Sequence, residues 1–292
     1  MIALKKQNKK ELVKENIFQK LFFMSAMFSV VSLLFICLFL FLRGVPAIRE
    51  IGLFKFLTGL KWRPVSSDYG IFPMIVGSLY VSAGAVLFGV PPAVLCAIFL
   101  SKFCPKRLYK IFRPAMDLLA GIPSVVYGLF GLFFMVPLVR FFTGGSGKGI
   151  LTASVLLGIM ILPTVTGIAE SAIRTIPDNS EEGALALGAT EERSVFCVVL
   201  PEARSGILAG IILGIGRAFG ETMAVVMVAG NQEILPESIL SGVRTMTSNI
   251  VIEMSYAESG SIHQGALIAT GAVLFVFILI MNVSFSLLKK ER

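Results

Sequence analysis

Residues 206–231 read GILAGIILGIGRAFGETMAVVMVAGN, and this stretch decides the fold. At about 1.5 Å per residue it is long enough to cross a bilayer as a helix, which takes about 20 residues. Yet it carries Arg217 and Glu221 near its middle. Four residues apart, they are expected to share a helix face. Counting back along that face gives Gly214 and Gly210, a spacing that lets another backbone approach closely. A charge at the bilayer centre costs about 3 kcal/mol on insertion scales, so it is kept where something uses it. One reading is an anion path in which the Arg217 fork meets the substrate. The other is a self-neutralising Arg217–Glu221 pair that fixes helix packing.

The rest of the chain agrees with a membrane setting. Of 292 residues, 55% are hydrophobic and only 15% charged, against about a quarter charged in soluble domains. The four cysteines form no CxxC pair, and the single histidine, His263, stands in a polar loop where a solvated side chain is expected. Neither a zinc site nor Ser/His/Asp chemistry has the residues it needs.

Residues 1–20 form a basic tail, and the uncharged run 21–42 is too long for a signal peptide, so it reads as a first membrane helix. Residues 43–70 form a polar, extracytoplasmic connection in which Trp62 is a plausible interface anchor. A five-helix core over 71–288 follows. Its second span lies near 71–100, opening at Pro73 and broken at Gly89–Pro92. The third lies near 114–138, with a kink at Pro123 and Ser124. There Arg113 is positioned to neutralise Asp117, and Tyr127 either offers a hydroxyl to the path or packs. The fourth lies near 150–169, bent at Pro163 with Thr164 and Thr166 beside it. The last lies near 265–288, and residues 289–292 end the chain.

Between the fourth and fifth spans, residues 170–205 are polar and read as two short helices. Asp178 is expected to cap the first and Gly188 to end it; Thr190 is expected to cap the second and Pro201 to close it. The loop 231–264 is acidic, with a short amphipathic helix expected over 248–257. Six spans put both termini on one side of the membrane. That side carries 17 of the 26 Lys and Arg residues against 8 opposite, which makes it the cytoplasm and puts the 170–205 loop there too.

The 170–205 loop resembles the EAA loop of ABC-importer permeases. Glu182, Ala184, Gly188, Val198, Leu200 and Pro201 fall in its register, with Gly183 replacing the first alanine. The resemblance implies a coupling helix, with Glu182, Ala184, Gly188, Leu200 and Pro201 serving the contact with an ATPase subunit. GIGRAFGETMAV, together with residues 68–82 and 121–133, is similar to the C-type permease subunit of phosphate-specific Pst importers. That similarity implies an all-α membrane protein of six transmembrane helices with the type I ABC importer permease (MetI-like) fold, in a prokaryotic inner membrane. It implies a substrate path for inorganic phosphate at Arg217 and Glu221, which Gly214 and Gly220 flank. It also implies a homologous A-type permease, an ATPase dimer and an extracytoplasmic phosphate-binding protein as partners.

Phosphate suits an arginine, whose planar fork meets two acceptor oxygens at once. The chain has no GxxxxGK[ST] stretch, so no cofactor is expected on it, and ATP and Mg are left to the partner ATPase. Nothing calls for nucleic acid; lipid is the other partner. The competing readings are a permease for molybdate or sulfate, an ion-coupled secondary transporter, and a membrane subunit that senses phosphate without moving it.

Overall fold

The computed structural model describes residues 9–290; the start of the basic tail (1–8) and residues 291–292 lie outside it. Among the described residues, six helices are long and apolar enough to cross a membrane: Ile17–Ile51, Phe72–Phe103, Ser124–Thr143, Ile150–Arg174, Glu191–Gly220 and Ile262–Ser284. The protein is a multi-pass membrane protein with the expected number of spans, and several boundaries move.

Helix α1 (Lys9–Ile51) does not stop at residue 42 but carries through Pro46, so the predicted 43–70 loop begins inside it. Helix α2 (Leu53–Thr58) and a two-stranded hairpin, β1 (Trp62–Arg63) with β2 (Asp68–Tyr69), follow. Gly59 and Gly70 close this segment backbone to backbone: a Cβ on Gly70 would lie 2.3 Å from the Gly59 carbonyl carbon. The segment folds over Phe56 and Trp62, both fully buried with Tyr69 and Met74. Trp62 is therefore a core residue and not a membrane-interface anchor.

Helix α3 (Phe72–Ile98) passes through Pro91 and Pro92 unbroken, contrary to the expected break. It runs parallel to α7 (Ile150–Arg174). Ser154 donates to the Val81 carbonyl, Gly89 meets Gly158, and Thr166 donates to the Ala93 carbonyl. At Arg174 the same pairing reaches the Leu100 carbonyl. A Cβ on Gly89 would lie 2.6 Å from the Gly158 carbonyl oxygen. Gly89→Val is expected to cost about 1–3 kcal/mol by overpacking. It should lower the thermal midpoint of the purified protein, while Gly121→Ala, where a Cβ meets nothing within 4 Å, should not.

Parallel α3 and α7 need a return crossing between them. It is made by α4 (Lys106–Gly121), α5 (Ser124–Phe130) and α6 (Val136–Thr143). The expected span over 114–138 is not one helix. Pro123 forces Ile122 into extended backbone (ψ 127°), so α4 ends there and the crossing proper is Ser124–Thr143. At this break the carbonyl of Leu119 accepts from the Ile122 N–H at 3.3 Å and from the Tyr127 hydroxyl at 2.9 Å. That hydroxyl donates to the backbone. Arg113 and Asp117 do pair, at 3.4 Å.

Two wide i→i+5 turns, Gly131–Met135 and Val195–Val199, stand directly before Pro137 and Pro201. A proline lacks the backbone donor and its ring crowds the preceding turn, and a widened turn relieves both. Consequently α9 (Glu191–Ser194), the wide turn and α10 (Leu200–Gly220) form one continuous span, Glu191–Gly220. Pro201 opens α10 within that span and does not close a loop helix. The loop proper shrinks to the residues around α8 (Asp178–Ala186).

Helix α10 packs antiparallel on α7 through its small residues. Gly206 meets Ala172, Gly210 meets Ile168 and Gly214 meets Val165. The last helix, α13 (Ile262–Lys290), runs antiparallel to α1, with Gly44 against Ala269 and Gly265 against Ala47. Helices α11 (Met223–Val228) and α12 (Met246–Met254) lie between α10 and α13 in the chain.

Candidate functional site

Helix α10 stops at Gly220, because Glu221 turns to extended backbone (φ −69°, ψ 132°) before α11 begins. Arg217 and Glu221 therefore do not share one helix face, as their spacing suggested. Glu221 is committed locally. Its carboxylate accepts from the Ala224 N–H at 3.2 Å, and its carbonyl accepts from the Thr247 hydroxyl of α12 at 3.0 Å. The self-neutralising pair does not form. Among the described residues, Arg217 makes no ion pair with a carboxylate.

Instead, Nη1 of Arg217 donates to Oγ1 of Thr164 on α7 at 2.7 Å. Thr164 lies about 21 Å from the Ile150 end of α7 and about 15 Å from its Arg174 end. The guanidinium thus sits beside the middle of α7, three residues before the end of its own span. It borders an open groove of 550 Å³ lined by Thr164, Leu213, Gly216, Arg217 and Asn282 among others. Gly214 is buried against Val165 and serves packing, so it does not line the groove. Gly220 is exposed at the helix end, with nothing within 4 Å of a Cβ. Asn282 went unread in the sequence. Its signal is a lone amide inside the apolar run of the last span.

A second candidate surface lies at α8. Glu182 and Gly183 are exposed, Ala184 is half-buried, and Gly188 takes the left-handed conformation expected of it (φ 89°). Leu187 is 91% exposed, an apolar side chain with nothing over it. Asp178 stands in the first turn of α8 and makes no cap, whereas Thr190 caps α9 as expected, accepting from the Arg193 N–H at 3.3 Å. Leu200 and Pro201 lie away from this surface, within the span.

Glu170 had been placed in a polar loop. It is 1% exposed, near the end of α7. Its carboxylate accepts from Tyr109 at 2.9 Å, from Nε of Arg174 at 2.8 Å, and from Arg113. The Arg174 guanidinium also lies 4.6 Å over the Tyr109 ring. The cluster pins the start of α4 to α7.

At the opposite end, Arg244 gathers the 231–264 loop. It donates to Glu253 at 3.0 Å, to Asn249 Oδ1 at 3.2 Å and to the Asn231 carbonyl at 3.2 Å, and it pairs with Glu233. Burial pushes the Glu233 carboxyl above its ordinary range; Arg244 pulls it back and Glu253 pushes it further up. His263 is not a solvated loop residue. It lies 3.3 Å from Glu253 and packs on Trp62 and Tyr69, each at 6.2 Å between rings.

Residues 89–291 match the family of binding-protein-dependent transport system inner membrane components. A probable ABC transporter permease of Bacillus subtilis, YqgH, is 37% identical over 266 residues, covering 88% of this chain and 86% of the relative. The phosphate transport system permease protein PstC of Mesorhizobium japonicum is 36% identical over 257 residues, covering 81% and 78%. The probable PstC of Methanocaldococcus jannaschii is 34% identical over 277 residues, covering 87% of each. Among solved structures, a chain of the inward-facing MetNI methionine ABC transporter superposes with TM-score 0.60 at 18% identity, over 79% of this chain and 99% of that one. A chain of a bacterial alginate ABC transporter gives 0.64 at 15% identity, over 93% and 94%. These likenesses establish the type I ABC importer permease (MetI-like) fold. The chain belongs to the binding-protein-dependent transport system inner membrane components, as a PstC-type ABC importer permease.

Proposed function

We propose that this permease carries inorganic phosphate into the cell, driven by a partner ATPase. The observation that carries this reading is Arg217, a guanidinium beside the middle of α7 that borders an open groove and, among the described residues, makes no ion pair with a carboxylate. A cation there calls for an anion. Arg217 presents a planar fork to two phosphate oxygens while Thr164 holds one of its nitrogens. Asn282 adds an amide carbonyl that accepts a hydrogen bond from a protonated phosphate oxygen, a donor that sulfate lacks at neutral pH. The carboxylate of Glu221, between α10 and α11, already accepts from the Ala224 N–H and keeps acceptor capacity for a protonated anion passing the end of α10. One arginine without a second buried cation binds weakly enough to release its cargo.

The partners follow from the family. A homologous A-type permease completes the groove from the other side. An extracytoplasmic phosphate-binding protein docks over the 43–70 and 231–264 loops and delivers the anion. An ATPase pair, which binds the ATP and Mg, docks on α8 and moves it. Both termini and α8 are cytoplasmic, in keeping with the concentration of Lys and Arg on that side. Leu187 is the apolar contact expected to anchor the ATPase. Leu187→Asp should abolish co-purification of the ATPase with the permease pair and leave the permease pair itself intact.

The test is reconstitution of all four components in liposomes, with each omitted in turn. Phosphate uptake is expected only from the complete set with ATP. Uptake that persists without the ATPase and follows an ion gradient would replace this reading with a secondary transporter.

A further inference from the structure

We infer that the ion pair between Lys102 and Glu181 is the tie that passes movement of α8 into the membrane bundle; this rests on the coupling role proposed for α8. Lys102 stands in the wide turn Phe99–Phe103 that ends the second span, and Glu181 stands in the first turn of α8. Their side chains are only 14% and 20% exposed. An ion pair in full solvent contributes little, but removing one partner of a half-dry pair leaves an uncompensated charge. The other acids of α8, Asp178 and Glu182, are exposed and form no ion pair among the described residues.

Both ends of the tie are anchored. The Glu181 carbonyl accepts from the hydroxyl of the buried Ser194 at 3.3 Å, which fixes α8 to the start of the fifth span. In the turn that holds Lys102, the Leu100 carbonyl accepts from Arg174 at 2.8 Å, which fixes that turn to α7. From there the contacts are continuous. Helix α3 meets α7 backbone to backbone at Gly89 and Gly158, and α7 holds Arg217 through Thr164. A push on α8 thus reaches the second span and α7 through Lys102–Glu181, the one charged link between them among the described residues, beside the hydrogen-bonded route through Ser194 into the fifth span.

A contact network becomes a coupling route only when breaking it alters coupling. The experiment uses the reconstituted importer with Lys102→Gln, with Glu181→Gln, and with the exchanged pair Lys102→Glu plus Glu181→Lys. Three quantities are read: ATPase co-purified, ATP hydrolysed and labelled phosphate moved. Each single variant is expected to retain the ATPase and to hydrolyse ATP, while phosphate moved per ATP falls about tenfold. The exchanged pair is expected to recover most of that ratio, and the ratio itself separates coupling from folding, since lost folded protein lowers hydrolysis and transport together. Single variants with the wild-type ratio, or an exchanged pair no better than the single variants, would overturn the tie alone. A wild-type assembly whose hydrolysis moves no phosphate would overturn the importer reading, and the tie with it.

Discussion

Arg217→Gln is expected to lower phosphate uptake by about 100-fold while the complex assembles normally, the loss of a charged hydrogen bond worth about 3 kcal/mol at the barrier. The glutamine is two atoms shorter and gives up the bond to Thr164, but α10 stays packed through Gly206, Gly210 and Gly214. The positive charge, the planar fork and the tie to α7 are lost together. Arg217→Lys should fall between the two, because an ammonium keeps the charge without the planar fork. The measurement is initial uptake by reconstituted importer, normalised to ATPase retained. Thr164→Val is the companion variant. It leaves the charge and frees the guanidinium, so substrate affinity should weaken more than maximal rate.

The largest effect on stability is expected at Glu170. Its carboxylate is buried and serves Tyr109, Arg113 and Arg174 at once. Glu170→Ala strands two guanidinium groups and a phenol at the junction of α4 and α7. The cost of breaking such a buried pair is about 3 kcal/mol, at the low end of its range because Arg113 and Arg174 are 32% and 44% exposed and can turn to water. The check is the thermal midpoint of the detergent-solubilised permease. Asp117→Ala removes the exposed partner of Arg113 and should leave that midpoint nearly unchanged. Equal effects of the two substitutions would contradict the assigned burial of Glu170.

The spans were legible because apolar runs of this length have no other stable home, and the left-handed Gly188 and the Thr190 cap were legible because their chemistry is local. The Arg217–Glu221 pair was misread for a reason the sequence hides. Spacing by four implies a shared face only if the helix continues, and Gly220-Glu221-Thr222 holds no proline to announce the break. The break is stabilised from outside, by the Thr247 hydroxyl of α12 on the Glu221 carbonyl. Pro91 and Pro92 erred the other way, since α3 carries them through packed on α7. Neighbourhood in the chain pointed Glu170 and His263 to polar loops and Trp62 to the membrane interface. Each is buried by elements distant in sequence: α4 for Glu170, and the packing of the hairpin on the start of α13 for Trp62 and His263. Asn282 carried a signal, one amide in an apolar span, that pattern reading passed over.

The most direct test of the central claim is labelled phosphate uptake at micromolar concentration by the complete importer, with excess sulfate or molybdate present. The account predicts ATP-dependent uptake that resists both competitors. Uptake abolished by either competitor, or ATP hydrolysis without phosphate accumulation, would contradict it.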